Sequence, residues 1–179
     1  MAAASKASIQ SFAPIADHKS RVLILGSMPG NASLDAGQYY AHPRNGFWPI
    51  VAALTDVAAD SHYAERTRGL LKAGIALWDV LACCSRNGSL DSEIDIATEV
   101  ANDFSGFLAK HPTVTHVFFN GGKAEQSFAR HVRPLLGARP LHMQRLPSTS
   151  PAHAGLPLAA KQAAWLAAIR PALQAGRIA

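Results

Sequence analysis

The chain has 179 residues, enough for one compact domain and short of two. Its 49% hydrophobic and 16% charged residues supply a core and exclude the low-hydrophobicity, high-charge composition of a disordered chain. Seventeen Lys and Arg against twelve Asp and Glu leave a formal charge of +5, which favours a polyanionic partner without deciding for one.

No run approaches the roughly 18 apolar residues of a membrane span. The Ala-rich start, Met1 to Ala7, lacks the apolar core of a signal peptide, and residues 1–11 are expected to be a flexible tail on a single domain. Cys83 and Cys84 are adjacent, too close for an ordinary loop-closing disulfide, and read as buried small hydrophobes in a reducing, cytoplasmic setting. The 34 alanines read as helix filling.

In chain order, Arg21 to Leu25 (RVLIL) is the first strand, apolar throughout and stopped by Gly26. Gly26 to Asn45 is a long loop rich in Gly, Pro, Asn and Tyr, of the kind that is usually functional or disordered. Phe47 to Ala59 has helical spacing, with Asn45 near its start as a cap and Pro49 in its first turn. Glu65 to Lys72 makes a short helix closed by Gly74, and Ile75 to Leu81 (IALWDVL) a second strand. Asn87-Gly88-Ser89 is a turn.

Asp95 to Ala109 reads as one amphipathic helix, from Ile96, Val100, Phe104, Phe107 and Leu108 near a 3.6 period. Val114 to Phe119 is a third strand, broken by Asn120-Gly121-Gly122, and Lys123 to Val132 a helix. Leu141 to Leu146 is a fourth strand, Pro147 to Gly155 a polar loop, and Pro157 to about Ile169 a C-terminal helix. Strands alternating with helices predict a three-layer α/β/α fold. In such folds ligands gather at the carboxyl ends of the strands, where the loops after Leu25, Phe119 and Leu146 would meet.

Those loops hold the candidate residues. Gly26-Ser27-Met28-Pro29-Gly30 allows close backbone approach to a ligand, or is a structural turn; neither G-x-x-x-x-G-K-[ST] nor G-x-G-x-x-G with a downstream acid is present. Tyr39 to Trp48 (YYAHPRNGFW) crowds aromatics, Arg44 and Asn45 into one segment, suited to stacking on bases, binding phosphate and orienting water, or to pinning a loop to the core. Asn120, held by glycines, can read the amide-like edge of a base or serve a plain turn. Ser148-Thr149-Ser150 offers hydroxyls and N–H groups to phosphate oxygens, with His153 nearby, or caps the last helix. No metal-ligand spacing or Ser-His-Asp order emerges. Asp79 reads as tying strand to loop rather than acting on a substrate.

In order and spacing, the GSMPG segment from Gly26, YYAHPRNGFW from Tyr39, FFNGGKA from Phe118 and LPSTSPAHA from Leu146 resemble the uracil-DNA glycosylase superfamily. The PRN-x-FW segment, the LPSTSP loop and Ala76 to Asp95 are most similar to its hypoxanthine-DNA (deoxyinosine) glycosylase branch, and the resemblance spans about Phe12 to Ile169. It implies a central four-stranded parallel sheet flanked by helices and a monofunctional DNA glycosylase without metal or organic cofactor. It also implies Asn45 as the catalytic residue, Phe47 as the aromatic that stacks on the base and Asn120 as the base reader. Gly26, Ser27 and Met28 would line the base pocket, and Arg44, Ser148, Thr149, Ser150 and His153 would contact DNA.

Two departures from the uracil branch matter. Met28 lies where that branch carries an acid in Gly-Gln-Asp-Pro-Tyr, and Leu146 begins the final motif where it has His. The resemblance thus implies hypoxanthine as the main base and Asn45 as the group positioning water, in a monomer acting on DNA with deaminated bases. Uracil- or mismatch-directed excision, a non-catalytic nucleic-acid-binding module and a free-nucleoside hydrolase are the alternatives.

Overall fold

The computed structural model describes residues 8–175. Strand β1 (Ser8–Gln10) precedes β2 (Val22–Gly26), and three helices follow: α1 (Asn31–Ala36), α2 (Phe47–Ala52) and α3 (Tyr63–Ala73). Next come β3 (Ile75–Asp79), β4 (Leu81–Ser85), β5 (Val100–Ala101), α4 (Phe104–Lys110), β6 (His116–Asn120), α5 (Gly122–His131), β7 (His142–Leu146) and α6 (Leu158–Ala175). The four expected strands form one parallel sheet in the order β3-β2-β6-β7.

Successive side chains of a strand point to opposite faces, and that alternation builds the layers. Val22 and Ile24 of β2 join Ile75 and Leu77 of β3 and Phe118 of β6 on one face, covered by Phe47, Ile50, Leu70, Trp165 and Ile169 from α2, α3 and α6. Leu23, Leu25, Ala76, Trp78, Val117 and Phe119 face the other way, onto Phe104, Phe107 and Leu108 of α4 and Ala124 and Phe128 of α5. Both faces being covered explains why β2 and β3 are apolar runs rather than alternating ones.

Several expected elements differ. The run Ile75 to Leu81 is two strands. The Val80 N–H makes the last rung to β2, at the Gly26 carbonyl (2.8 Å), and the Leu81 N–H then goes to the Ser27 carbonyl (3.1 Å) as the chain leaves the parallel sheet. It continues as β4 in a second, antiparallel sheet of order β1-β4-β5. Of the adjacent cysteines on β4, Cys84 is buried and Cys83 half-buried; both are free thiols. Within the expected N-terminal tail, Ser8–Gln10 is a strand paired with Cys83 to Ser85; residues 1–7 lie outside the described residues.

The helix expected over Phe47 to Ala59 stops at Ala52, where the Ala53 and Leu54 N–H groups bond three residues back, to Ile50 and Val51, tightening the last turn. The single helix expected over Asp95 to Ala109 is interrupted. Asp95 accepts the Ala97 N–H at the start of a 3-10 turn, Val100 and Ala101 pair with β4, and Asp103 caps α4 by accepting the Gly106 N–H at 2.9 Å. Each side-chain cap offers the backbone a local alternative to a continuous helix. The long loop after β2 includes α1, closed by Gly37 at φ 62°. No helix of the described residues is long and apolar enough to cross a membrane.

Candidate active site

The chain leaves β2 toward α2 and α3 on one face of the sheet and leaves β6 toward α5 on the other. Neighbouring parallel strands whose connections diverge in this way open a crevice at their carboxyl ends. A cavity of about 800 Å³ lies there. Gly26, Asp79 and Asn120, the last residues of β2, β3 and β6, line it together with the loops at 27–33, 39–45, 89–92 and 148–153. Of the candidate residues, Gly26, Ser27, Met28, Arg44, Asn45, Asn120, Ser148, Thr149, Ser150 and His153 are all brought to this cavity.

Asn45 serves the fold and faces the cavity at once. Its Oδ1 accepts the Phe47 N–H at 3.0 Å, one of the donors that a helix start leaves unpaired. Because an N–H requires an acceptor, this bond also fixes which way the amide points. The second lone pair of Oδ1 and the Nδ2 group remain for a ligand.

The Asn120 amide is fixed from the other side. Its Nδ2 donates to Thr149 Oγ1 and its Oδ1 accepts the Thr149 N–H, both at 2.9 Å. Gly121 follows at φ 92°, and a Cβ there would lie 3.0 Å from Ser148 Cβ. Glycine thus lets the β6 loop close against the 148–153 loop. Thr149 is only 2% exposed, so its hydroxyl is a strut between loops rather than a group for a DNA backbone. Ser148 and Ser150 are half-buried and His153 exposed. Lys161 of α6, itself buried, donates to the Ser150 and His153 carbonyls at 3.4 and 2.7 Å, which holds this loop from beneath.

Phe47 is not a wall of the cavity. It is 0% exposed, packed edge-on to Trp48 and Trp165 and stacked under Tyr40, with ring centroids 4.0 Å apart. Tyr39 and Tyr40 line the cavity instead, and the ring stacked on Phe47 is Tyr40, held at φ 54°. A non-glycine residue in the left-handed region needs its surroundings to fix it, and the Phe47 stack and the neighbouring Tyr39 ring do so here.

The uracil DNA glycosylase superfamily model matches residues 13–174. The chain belongs to that superfamily. It is 37% identical over 143 residues, 79% of this chain and 86% of the relative, to a hypoxanthine DNA glycosylase of Methanosarcina acetivorans. It is also 37% identical over 116 residues, 64% of this chain and 72% of the relative, to a hypoxanthine DNA glycosylase of Methanosarcina barkeri. A solution NMR structure of a Methanosarcina acetivorans protein assigned as a uracil DNA glycosylase superposes with a TM-score of 0.78 at 33% identity, covering 93% of this chain and 99% of that one.

This member of the superfamily has acids in the cavity that its motifs do not announce. Asp79 is 3% exposed, and burial, reinforced by the charge of Asp91, pushes its carboxyl up to about 7 against the opposing pull of Arg86. Asp91 accepts from Ser27 Oγ at 2.5 Å, and packing within the cleft raises its carboxyl as well. Arg86 donates to the Gly88 and Pro29 carbonyls at 2.6 and 2.7 Å, tying the segment after β4 to the GSMPG loop. The readable sign was Asp79 itself, an acid inside the otherwise apolar run IALWDVL, where burial of a carboxylate is costly.

Basic side chains also line the mouth of the cavity. Arg44 is exposed at its rim, with His42, Lys123 and His153 also lining it. Lys123, on the first turn of α5, is ion-paired with Glu99, whose carboxylate also meets Ser127 and His131. Those partners hold Glu99 below its usual range despite its burial.

Proposed function

We propose that this chain is a single-domain, monofunctional DNA glycosylase, monomeric and cytoplasmic, that hydrolyses the N-glycosidic bond of a flipped-out deaminated base, foremost hypoxanthine. The observation that carries this reading is the pair of side-chain amides, Asn45 and Asn120, each oriented by its own hydrogen bonds, lining one cavity large enough for a nucleotide. The two relatives named above act on hypoxanthine in DNA by their names, and the adjacent free cysteines suit a reducing compartment.

A base within a duplex must leave the stack before the cavity can enclose it, which costs a few kcal/mol and least for a mispaired base. The second hydrogen of Asn120 Nδ2 and the second lone pair of its Oδ1 suit the lactam edge of hypoxanthine, which donates and accepts side by side. Tyr40, rather than Phe47, supplies the aromatic surface. Rupture of the glycosidic bond builds positive charge on the sugar and negative charge on the base, and Asn45 holds a water for the oxocarbenium-like sugar. An amide is too weak a base to deprotonate that water in advance, and a highly electrophilic sugar does not require it.

Arg44 and His153, with Ser148 and Ser150, would meet the DNA phosphates flanking the lesion. Lys123 Nζ is occupied by Glu99 and is not poised as an amine nucleophile, which supports hydrolysis without strand cleavage. Incubation with duplexes carrying a single hypoxanthine, uracil or xanthine, followed by alkali, tests the reading. A strand break at hypoxanthine that appears only after alkali is expected. Binding with no alkali-labile site in any duplex would leave a non-catalytic module instead.

A further inference from the structure

We propose that Asp79 is a second catalytic residue, whose protonated carboxyl at the cavity floor donates a proton to the base as it departs. The proposal rests on the glycosylase reading above and adds a group to its mechanism.

The geometry of the floor supports it. Asp79 ends β3 in register with Gly26, and a Cβ on Gly26 would overlap Asp79 Oδ1 and lie 2.8 Å from Tyr40 Oη. The bare glycine is what allows the carboxyl and the phenol to share this place. Asp79 Oδ2 is buried and has no hydrogen-bond partner, and Tyr40 Oη, buried at the same place, faces the Asn120 amide. Buried polar atoms are nearly always paired, and an unpaired carboxyl oxygen at the floor of a cavity marks where a ligand completes the set. The strand is anchored through its main chain instead: the Asp79 carbonyl accepts from Asn102 Nδ2 at 2.9 Å.

The groups facing the carboxyl are Tyr39 and Tyr40 from the loop before α2, Tyr63 from α3, and Asp91 and Arg86 from the segment after β4. The one cation among them, Arg86, donates from Nε and Nη2 to two backbone carbonyls, and its buried Nη1, which has no partner, leaves a pull on the carboxyl that burial and the Asp91 charge outweigh. A carboxyl so placed keeps its proton to about pH 7. An ionised carboxylate would oppose the negative charge that gathers on the leaving base, whereas the neutral acid can donate to it.

In the step itself the bond between C1′ and the base nitrogen breaks and its electron pair passes to the base. The Asp79 O–H proton moves to an acceptor atom of the base, leaving a carboxylate. The water held by Asn45 adds its oxygen to C1′ and releases one proton to solvent. Solvent then reprotonates Asp79 after the base has gone, so one water is consumed and the neutral base and an abasic sugar are the products.

The test is single-turnover excision of hypoxanthine from a duplex, with enzyme in excess, across about pH 5.5 to 9 for the wild type, Asp79→Asn and Asp91→Asn. The wild-type rate should fall about tenfold per pH unit above the neutral range, as loss of one essential proton requires. Asp79→Asn should be slower by about 10² or more, the usual range for a general acid, and independent of pH. Asp91→Asn should keep the falling limb but shift it to lower pH, because the Asp91 charge helps retain the Asp79 proton. A residue with a purely structural role would move none of these profiles.

A wild-type rate unchanged from about pH 6 to 9, or an Asp79→Asn rate within about threefold of wild type with the same profile, overturns the proposal. Should Asp79→Asn fail to fold, the wild-type and Asp91→Asn profiles decide it. A wild type that removes no base from any duplex at any pH instead overturns the glycosylase reading, and this proposal with it.

Discussion

Asn120 and Thr149 exchange two hydrogen bonds of 2.9 Å across the gap between the β6 and β7 loops. One uses the Thr149 backbone N–H and the other its hydroxyl, so a β-branched residue without the hydroxyl breaks half of the link. Thr149→Val should leave Asn120 Nδ2 short of an acceptor in a buried setting and cost about 1–3 kcal/mol. Thr149→Ser should keep most of that. Urea denaturation of the three proteins checks it, and excision should fall in step with the loss of the link.

Removal of the Asn45 side chain has two effects that can be separated. The lost bond to the Phe47 N–H should cost about 1 kcal/mol of stability, as for other helix-start residues. Excision should fall much further, by about 10²–10³-fold, the range seen when one oriented polar group is removed from a reaction centre. Thermal melting and single-turnover rates on the same Asn45→Ala preparation measure both. An excision rate equal to wild type in a folded variant would remove Asn45 from the mechanism.

Asp79 also shapes folding stability. Its carboxyl titrates near 3.8 when free and is pushed up to about 7 in the fold, so between those values the folded protein binds the extra proton. Stability from this group therefore declines as pH rises from about 4 to about 7 and then levels, a tenfold difference in proton affinity being worth about 1.4 kcal/mol. Asp79→Asn should escape that decline and be more stable than wild type by a few kcal/mol at pH 8, with the gap closing toward pH 4. Guanidinium melts at both ends of the range give the comparison. A variant more stable yet slower would be a strained functional group revealed by its removal.

The exposed Arg44 at the cavity mouth should act mainly through phosphate. Arg44→Ala is expected to weaken binding to damaged and undamaged duplexes alike and to lower the slope of log affinity against log salt by about 1. Fluorescence anisotropy titrations at several salt concentrations measure this. A loss confined to the lesion-bearing duplex would place Arg44 at the base instead.

How much of this could be read from residues depended on length and burial. The strands β2 and β6 are apolar because both sheet faces are covered, and such runs announce themselves. By contrast β1 holds only Ser8, Ile9 and Gln10 and β5 only Val100 and Ala101, too short for any period to show, and both exist through pairing with β4. The cavity loops were legible because Gly, Asn and Pro cluster at strand ends. The exchange of Tyr40 for Phe47 at the cavity was not, since it turns on one left-handed backbone angle. Asp79 was visible as an acid in an apolar run, but its lack of a partner exists only in three dimensions.

The Phe47 N–H that orients Asn45 is set when α2 forms, long before any DNA arrives. An enzyme that inspects bases meets ordinary ones almost every time and must release them quickly. In the proposed mechanism the amide that positions water is thus oriented beforehand, and nothing at that point has to be assembled when the rare damaged base enters or undone when a normal one leaves. On that mechanism discrimination would fall on the fit of the base to the floor formed by the strand ends, with the chemistry ready whenever that fit is met.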